Sequence, residues 1–292
     1  MKLFSDKTVF GFAASFGLSL VFLSGPAAAA APASPKLKSE TEAAFDRYVH
    51  LTEDRNETEL KHGSSFLWID QLPEEQRKSA YASLRAGTPR IEKRETKDEG
   101  KEIRCPNGMI HHWEAISYIP GANVDDVLRI LEDYDHHSEY YKPDVERSKT
   151  LAHDGNHYVV FLRFRRHKVI TVVLNTTHDV NYFRDSAVRA HSRSSATKIS
   201  EIDSAGKGVE REKPAGEDGG FLWRMETWWR MEEKDGGVYI QSEVVSLTRD
   251  IPTGLGWMIG SFVSSIPKES LAFTMEATRK AVLAKKQSAA KN

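Results

Sequence analysis

Alternating hydrophobic and polar positions near the C-terminus predict a β-hairpin. The large or apolar positions of its first strand are every second residue: Trp223, Met225, Thr227, Trp229 and Met231. A period of two is typical of a strand with one dry face. The sequence Lys234-Asp235-Gly236-Gly237 follows, and Asp-Gly supplies the positive φ values that a tight hairpin turn requires. Residues 238–248 are therefore expected to form the antiparallel partner strand.

A single apolar-faced helix is predicted after this hairpin, over residues 267–285. It is the only long helix with an apolar stripe that follows the hairpin. A helix laid across a curved sheet commonly leaves a pocket between the two layers. The segment 254–260 joins the last strand to this helix, and its three glycines among bulky apolar residues suit a mobile lid or pocket rim, or equally a close-packed turn.

Upstream segments predict a mixture of strands and one short helix. Strands are expected over residues 90–95, 101–105, 109–119, 145–152, 156–165, 168–182 and 187–202, and a loop over residues 210–220. Asn123 is a suitable N-cap for a helix in which Val124, Val127, Leu128 and Leu131 recur at helical spacing. The closely spaced strands indicate an antiparallel meander. The predicted fold class is therefore α+β, with a curved antiparallel sheet wrapped around a long C-terminal helix.

The first residues have the pattern of an export signal. Lys2 and Lys7 precede an apolar stretch over residues 9–23, and small residues follow at 27–31, where cleavage is expected. Because the stretch is short for a bilayer span, an uncleaved anchor is the weaker alternative. The domain boundaries that follow are a signal peptide at 1–30, a linker at 31–39, a helical extension at 40–87, the main domain at 88–286 and a disordered tail at 287–292.

Charge and cysteine content exclude several classes of protein. The formal net charge is −1, so the chain lacks the excess of basic residues that is typical of a nucleic-acid-binding protein. The chain has one cysteine, Cys105, so its stability must come from a core and not from internal disulfides. No stable membrane span is expected after signal cleavage, and no protein partner is identified by the sequence. The mature protein is predicted to be periplasmic or secreted.

Several of these segments resemble a known superfamily. The chain resembles START-like (SRPBCC) helix-grip proteins in several segments. These are the strand 109–119, Pro120-Gly121, the helix ending in Ile130-Leu131-Glu132-Asp133-Tyr134, the passage Tyr140-Tyr141-Lys142-Pro143-Asp144-Val145, and the final hairpin and helix. The match covers residues 109–285. The resemblance implies that a sheet and a long final helix grip a hydrophobic, lipid-like ligand. The superfamily includes lipid-transfer-like and polyketide cyclase/dehydrase-like members.

Aromatic and aliphatic residues on these elements are candidates for ligand contact, although any single one is more often core packing. The predicted floor and wall residues are Trp113, Phe161, Trp223, Met225, Trp229, Ile240 and Val244, and the predicted roof residues are Phe262, Ile266, Leu271 and Met275. Their number indicates a roomy interior.

Polar residues on the same strands are candidates for anchoring a ligand. His112 and Glu114 share one strand face and could act as an acid–base pair or form a cross-strand pair at a sheet edge. With a two-residue turn, Arg230 lies opposite Gln241 and Trp228 opposite Glu243. Arg224 and Glu243 then belong either to a solvated charge ladder or to a buried anchor at the base of the cavity.

The motifs of common enzymes are not found, so no catalytic residue is predicted. A metal site at the cluster Asp133, Asp135, His136, His137 and Glu139 is disfavoured because adjacent side chains diverge, and neither metal nor cofactor is predicted. The leading hypothesis is an exported hydrophobic-ligand-binding protein. A cyclase-, dehydratase- or hydrolase-type enzyme using the same pocket and an envelope interaction module are the alternatives.

Overall fold

A computed structural model describes residues 36–62, 65–168, 170–250 and 256–290. For His62 and residues 256–264 it describes the backbone alone. The predicted export signal and the side chain of Phe262 therefore lie outside the described part of the chain.

The longer helices and strands follow the predicted order, but the short strand Arg211–Glu212 lies within the segment 210–220 that was expected to be a loop. The helices are α1 Ser39–His62, α2 Glu74–Arg85, α3 Val124–Leu131, α4 His137–Tyr140 and α5 Gly256–Ala289, with short 3-10 helices at Trp68–Gln71 and Tyr134–His136. The strands are β1 Arg90–Lys93, β2 Lys97–Asp98, β3 Lys101–Glu102, β4 Gly108–Pro120, β5 Val145–Asp154, β6 His157–His167, β7 Thr171–Ser186, β8 Arg189–Asp203, β9 Arg211–Glu212, β10 Arg224–Lys234 and β11 Gly237–Arg249.

One large antiparallel sheet organises the main domain. Its strands are ordered β1-β4-β11-β10-β8-β7-β6-β5, β9 pairs with β8, and β2 and β3 form a separate ribbon. Helix α5 packs against β4 and β11 on one face, together with α3. The predicted α+β class, with a large antiparallel sheet and a long C-terminal helix packed on one of its faces, is confirmed.

The hairpin forms by the local chemistry that its sequence predicts. Asp235 and Gly236 have φ values of 57° and 73°, both in the left-handed region that the Asp-Gly pair tolerates. Lys234 then pairs with Gly237, which places Arg230 opposite Gln241 and Trp228 opposite Glu243. The predicted register is confirmed.

Helix α3 begins at the predicted cap. The Asn123 side chain accepts a hydrogen bond from the Asp126 backbone at 2.8 Å, and the Asp126 carboxylate accepts one from the Asn123 backbone at 3.0 Å. This reciprocal capping satisfies two backbone donors that the helix itself cannot pair. Lys286 on α5 also contacts Asp126 at 2.6 Å, which ties the start of α3 to the end of the long helix.

Both faces of the sheet are covered. On the face opposite α5, Phe45, Tyr48 and Val49 of α1 pack against Val245 and Leu247 of β11. Beyond them, a second cluster joins the 3-10 helix at Trp68–Gln71 and α2 to the strands; its members include Phe66, Leu67, Leu84, Ile116 and Tyr239. The polar N-terminal helices dock on the sheet through these two clusters.

Helix α5 is longer than predicted. It begins at Gly256 and continues through Pro267, because the proline removes one backbone hydrogen bond without ending the helix. Residues 256–260 of the expected lid or turn are therefore helical. The helix also continues to Ala289, which corrects the predicted start of the disordered tail at residue 287.

Candidate functional site

A cavity of about 280 Å³ lies between α5 and the sheet face that this helix covers. Most of its wall is apolar, and it includes Leu131, Val145, Val160, Leu162, Phe164, Val172, Leu174, Val180, Phe221, Leu222 and Phe273. Helices α3 and α4, strands of the large sheet and α5 all contribute. The described helices include none that is long and apolar enough to cross a bilayer.

Small side chains on the central strands leave open space at the floor of the cavity. Trp229 has Ser192 of β8 as its neighbour on one side and Ser242 of β11 on the other. Thr227 likewise lies between Ser194 and Val244. All six side chains face the cavity. Large apolar residues at the serine and threonine positions would fill this space, so the cavity depends on the hydroxyl residues.

Five of the predicted contact residues lie at the cavity wall: Met225, Trp229, Val244, Ile266 and Leu271. Ile240 and Met275 are fully buried in the adjoining core beneath α5, and Trp113 packs at the edge of that core. Ile240 and Trp113 lie on the same side of the sheet as the cavity, and Met275 of α5 packs against that side. None of the three lines the cavity.

Phe161 and Trp223 differ from the expectation, because they face the other side of the sheet. The neighbours Val160 and Leu162 line the cavity, so alternation along β6 directs Phe161 away from it. Trp223 precedes β10 and packs in the cluster formed by α1. Its predicted place at the cavity floor is corrected.

The four predicted polar anchors also lie on the α1 side of the sheet, which corrects their expected position at the base of the cavity. His112, Glu114 and Glu243 are at most 2% exposed, so the alternative of a solvated ladder does not describe them. Arg224 is half-buried, contacts Asp46 at 3.0 Å and covers the Phe45 ring. Alternation along each strand puts these residues on one face, which α1 covers, whereas the cavity lies on the other face.

Glu243 is the centre of this buried polar network. Its carboxylate accepts hydrogen bonds from Asn56 at 2.9 Å and His112 at 2.6 Å, and it forms an ion pair with Arg55. The Tyr48 hydroxyl accepts a bond from the Thr96 backbone at 2.7 Å and lies 2.9 Å from the other ring nitrogen of His112. Burial alone would raise the pKa of Glu243, but the His112 bond and the Arg55 charge outweigh it and hold that pKa below its usual value.

Arg230 connects the same network to the N-terminal helix. Its guanidinium donates to the Phe66 carbonyl at 2.9 Å and to the Asn56 side chain at 2.6 Å, and it lies 2.8 Å from the Glu59 carboxylate. The side chain is 3% exposed. A buried guanidinium is stable only when its donors are paired, as they are here.

Glu114 is directly opposite Glu243 in the sheet. Burial, followed by the negative charge of Glu243, raises the pKa of Glu114 from its usual value of 4.5 to about 8. Gln241 donates a hydrogen bond to its Oε1 at 2.7 Å. Arg94 lies 3.1 Å from the other carboxylate oxygen and opposes this rise, so burial and the Glu243 charge together outweigh it. Two adjacent buried carboxylates favour a proton on one of them, and the raised pKa favours Glu114.

We expect this proton to affect the pH dependence of folding. Because the folded protein keeps a proton on Glu114 that the unfolded chain releases above pH 4.5, its contribution to stability is present at low pH and decreases as the pH rises towards about 8. The variant Glu114→Gln keeps an acceptor for Gln241 and cannot titrate. The measurement is urea unfolding of both proteins from about pH 5 to about pH 8.

The expected result is that wild type loses stability relative to Glu114→Gln over this interval. Glu243 is present in both proteins and its pKa is below the pH interval measured. The difference in unfolding free energy between the two proteins therefore reports the titration of Glu114. Parallel curves would contradict a raised pKa at this position.

The histidine- and aspartate-rich segment after α3 is held by contacts within the protein. His136 and Asp133 are 2.6 Å apart, Tyr140 also bonds Asp133, and Asp135 accepts from the Thr150 backbone at 2.8 Å. His137 is buried and its Nε2 lies 3.1 Å from the Ile130 carbonyl oxygen. Over the described residues, no group of His, Cys, Asp and Glu is arranged to hold a metal ion.

Sequence reasoning missed the polar part of the cavity wall. His137, Tyr134 and Tyr182 line one region, and His178 with Ser194 lines another. The Tyr182 hydroxyl donates to the Leu131 carbonyl at 3.0 Å, so Tyr134 donates to Tyr182 at 2.7 Å. A signal for His178 existed: it occupies an apolar-face position within the alternating pattern of β7.

Comparisons with known proteins find similarity only among solved structures. No protein-family model and no curated protein matches the sequence. A protein of Thermus thermophilus is 17% identical, with a TM-score of 0.42, and the match covers 59% of this chain and 96% of that one. The STAR-related lipid transfer protein from Xanthomonas axonopodis is 14% identical, with a TM-score of 0.43 and coverages of 61% and 95%. The Zhui aromatase/cyclase from Streptomyces is 16% identical, with a TM-score of 0.37 and coverages of 61% and 93%. These names assign no ligand to this chain.

Proposed function

We propose that this protein binds a hydrophobic small molecule in the cavity between α5 and the sheet. The observation that supports the proposal most directly is the cavity itself, about 280 Å³ in volume and walled mainly by apolar side chains. Small-molecule sites are typically concave and apolar, with a few placed polar groups, and this cavity lies just below their usual range of about 300–1,000 Å³. An apolar space of this kind gains free energy when a hydrophobic guest leaves water for it.

Polar contacts between residues at the cavity wall also support a binding site at this position. Arg166 of β6 and Asp144 form an ion pair at 2.5 Å, and Arg166 also donates to Ser270 of α5 at 2.7 Å. These contacts fix the first half of α5 to the sheet beside the cavity, so the space between them is held open by packed elements at both sides.

Native mass spectrometry tests the proposal. The protein is purified from its own host and measured under conditions that keep non-covalent complexes, and then under denaturing conditions. We expect an additional mass that disappears on denaturation and is extracted into organic solvent. A protein that carries no such mass and binds no hydrocarbon probe would contradict the proposal.

We also propose that the protein acts after export, in the periplasm or outside the cell. The basic start, apolar stretch and small residues at positions 27–31 support this placement. N-terminal sequencing of the protein from its host is expected to begin shortly after Ala29. A start at Met1 would contradict cleavage.

A further inference from the structure

His178 is a buried histidine in the wall of the proposed binding cavity. It lies on β7 at the same sheet face as Val180 and Tyr182, and its side chain is 3% exposed. The pairing of β7 with β8 shifts register between Thr177 and His178. Such irregularities often redirect a side chain beside a binding site.

A chain of hydrogen bonds fixes which ring nitrogen of His178 carries the proton. The hydroxyl of Thr176 donates to the Leu162 carbonyl at 3.0 Å, and a hydroxyl has one proton to donate. Thr176 must therefore accept from His178 Nε2, which lies 2.9 Å away. Nε2 is the protonated nitrogen, and Nδ1 is an acceptor.

The acceptor Nδ1 is only weakly paired within the protein. The nearest donor is the hydroxyl of Ser194, at 3.4 Å, which is long for a hydrogen bond of this type. Ser194 is half-buried, and both side chains line the cavity. Burial lowers the pKa of His178 to about 4, so the ring is neutral at pH 7 and Nδ1 keeps its lone pair.

We infer that the cavity selects a hydrophobic molecule bearing a hydroxyl group, an alcohol or a phenol, whose proton is donated to Nδ1 of His178. This inference rests on the proposed function. A hydrocarbon or an ether cannot supply that proton, so either would leave a buried acceptor without a good donor. The Ser194 hydroxyl can turn to donate to the oxygen of the bound hydroxyl group.

Matched probes separate this inference from the proposed function. The probes are naphthalene, its methyl ether methoxynaphthalene and naphthol, with the corresponding pyrene series as larger guests, titrated at pH 7 by fluorescence. We expect all members of at least one series to bind, with the hydroxyl compound about tenfold to hundredfold tighter than the ether. Equal affinities would overturn the inference and leave hydrophobic binding intact. Absence of binding by every probe would count against the proposed function and the inference together.

Three variants identify the side chain that recognises the hydroxyl group of the bound molecule. His178→Leu is expected to lose the preference for hydroxyl over ether, measured as the ratio of the two affinities in the same variant. Ser194→Ala is expected to weaken hydroxyl and ether compounds alike and to keep the preference, because Nδ1 remains. Ser195→Ala is the matched control, since Ser195 bonds Glu226 on the opposite face of the sheet.

The outcome that would overturn the assignment is a preference that persists in His178→Leu or disappears in Ser194→Ala. If His178→Leu fails to fold, the wild-type ratio and Ser194→Ala still decide, because Ser194→Ala removes one oxygen atom from a half-buried position.

Discussion

Filling the cavity with aromatic side chains is expected to abolish ligand binding. The double variant Val244→Trp and Ser192→Phe places two large rings on neighbouring rows of the cavity floor, where both native side chains line the open space. We expect the affinity for naphthalene and pyrene to decrease by at least about a hundredfold, or about 2.8 kcal/mol. The fold should tolerate the change because the added rings occupy existing space, whereas overpacking a filled core costs about 1–3 kcal/mol. Fluorescence titration measures the affinity.

The control is Thr197→Phe, which adds a ring of the same kind at an exposed position on β8. It should bind both probes as wild type does. Urea unfolding of all three proteins shows whether the double variant remains folded. Undiminished binding by a folded double variant would place the ligand site elsewhere and contradict the proposed function.

Arg230→Met is expected to destabilise the protein by about 3–5 kcal/mol, which is the usual cost of removing one partner from a buried ion pair. The change leaves the Glu59 carboxylate without its Arg230 partner and removes the donors to Asn56 and the Phe66 carbonyl. Methionine restores much of the apolar stem, so the loss reports the charge and its hydrogen bonds. The free energy of unfolding from urea denaturation measures the effect.

Arg224→Met provides the matched control. Arg224 lies on the same strand and the same sheet face, but it is only partly buried and pairs with the exposed Asp46. An exposed ion pair is worth about 1 kcal/mol or less, so this variant should change stability little. Equal losses in the two variants would mean that the buried network contributes no more than a surface ion pair.

The buried network also explains how a polar N-terminal extension attaches to the sheet. Arg55, Asn56 and Glu59 of α1 contact Glu243 and Arg230 of the hairpin. The helix supplies the partners that these strand residues need away from water. Deleting residues 36–62 would leave Arg230 and Glu243 without most of these partners, so we expect the deletion to destabilise the main domain.

Local properties of the sequence were sufficient for most of the longer elements and for the hairpin register. A period of two predicted β10, Asp235-Gly236 predicted the turn, and Asn123 predicted the start of α3, because each depends on residues close together in the chain. The start of α5 was less accessible. Pro267 has the local signature of a helix start, but the helix runs through it from Gly256.

The sequence by itself determined the strands, the two faces of each strand and the long final helix, since side-chain direction follows from backbone period. Only the tertiary structure decided what covers each face. Glu243 and Ser242 are neighbours in the chain, yet one belongs to an ionic network beneath α1 and the other to the cavity beneath α5. The physical reason is that burial of a face depends on segments far away in the sequence. Strand alternation gives each strand two faces, and helices distant in the sequence determine which face borders the cavity.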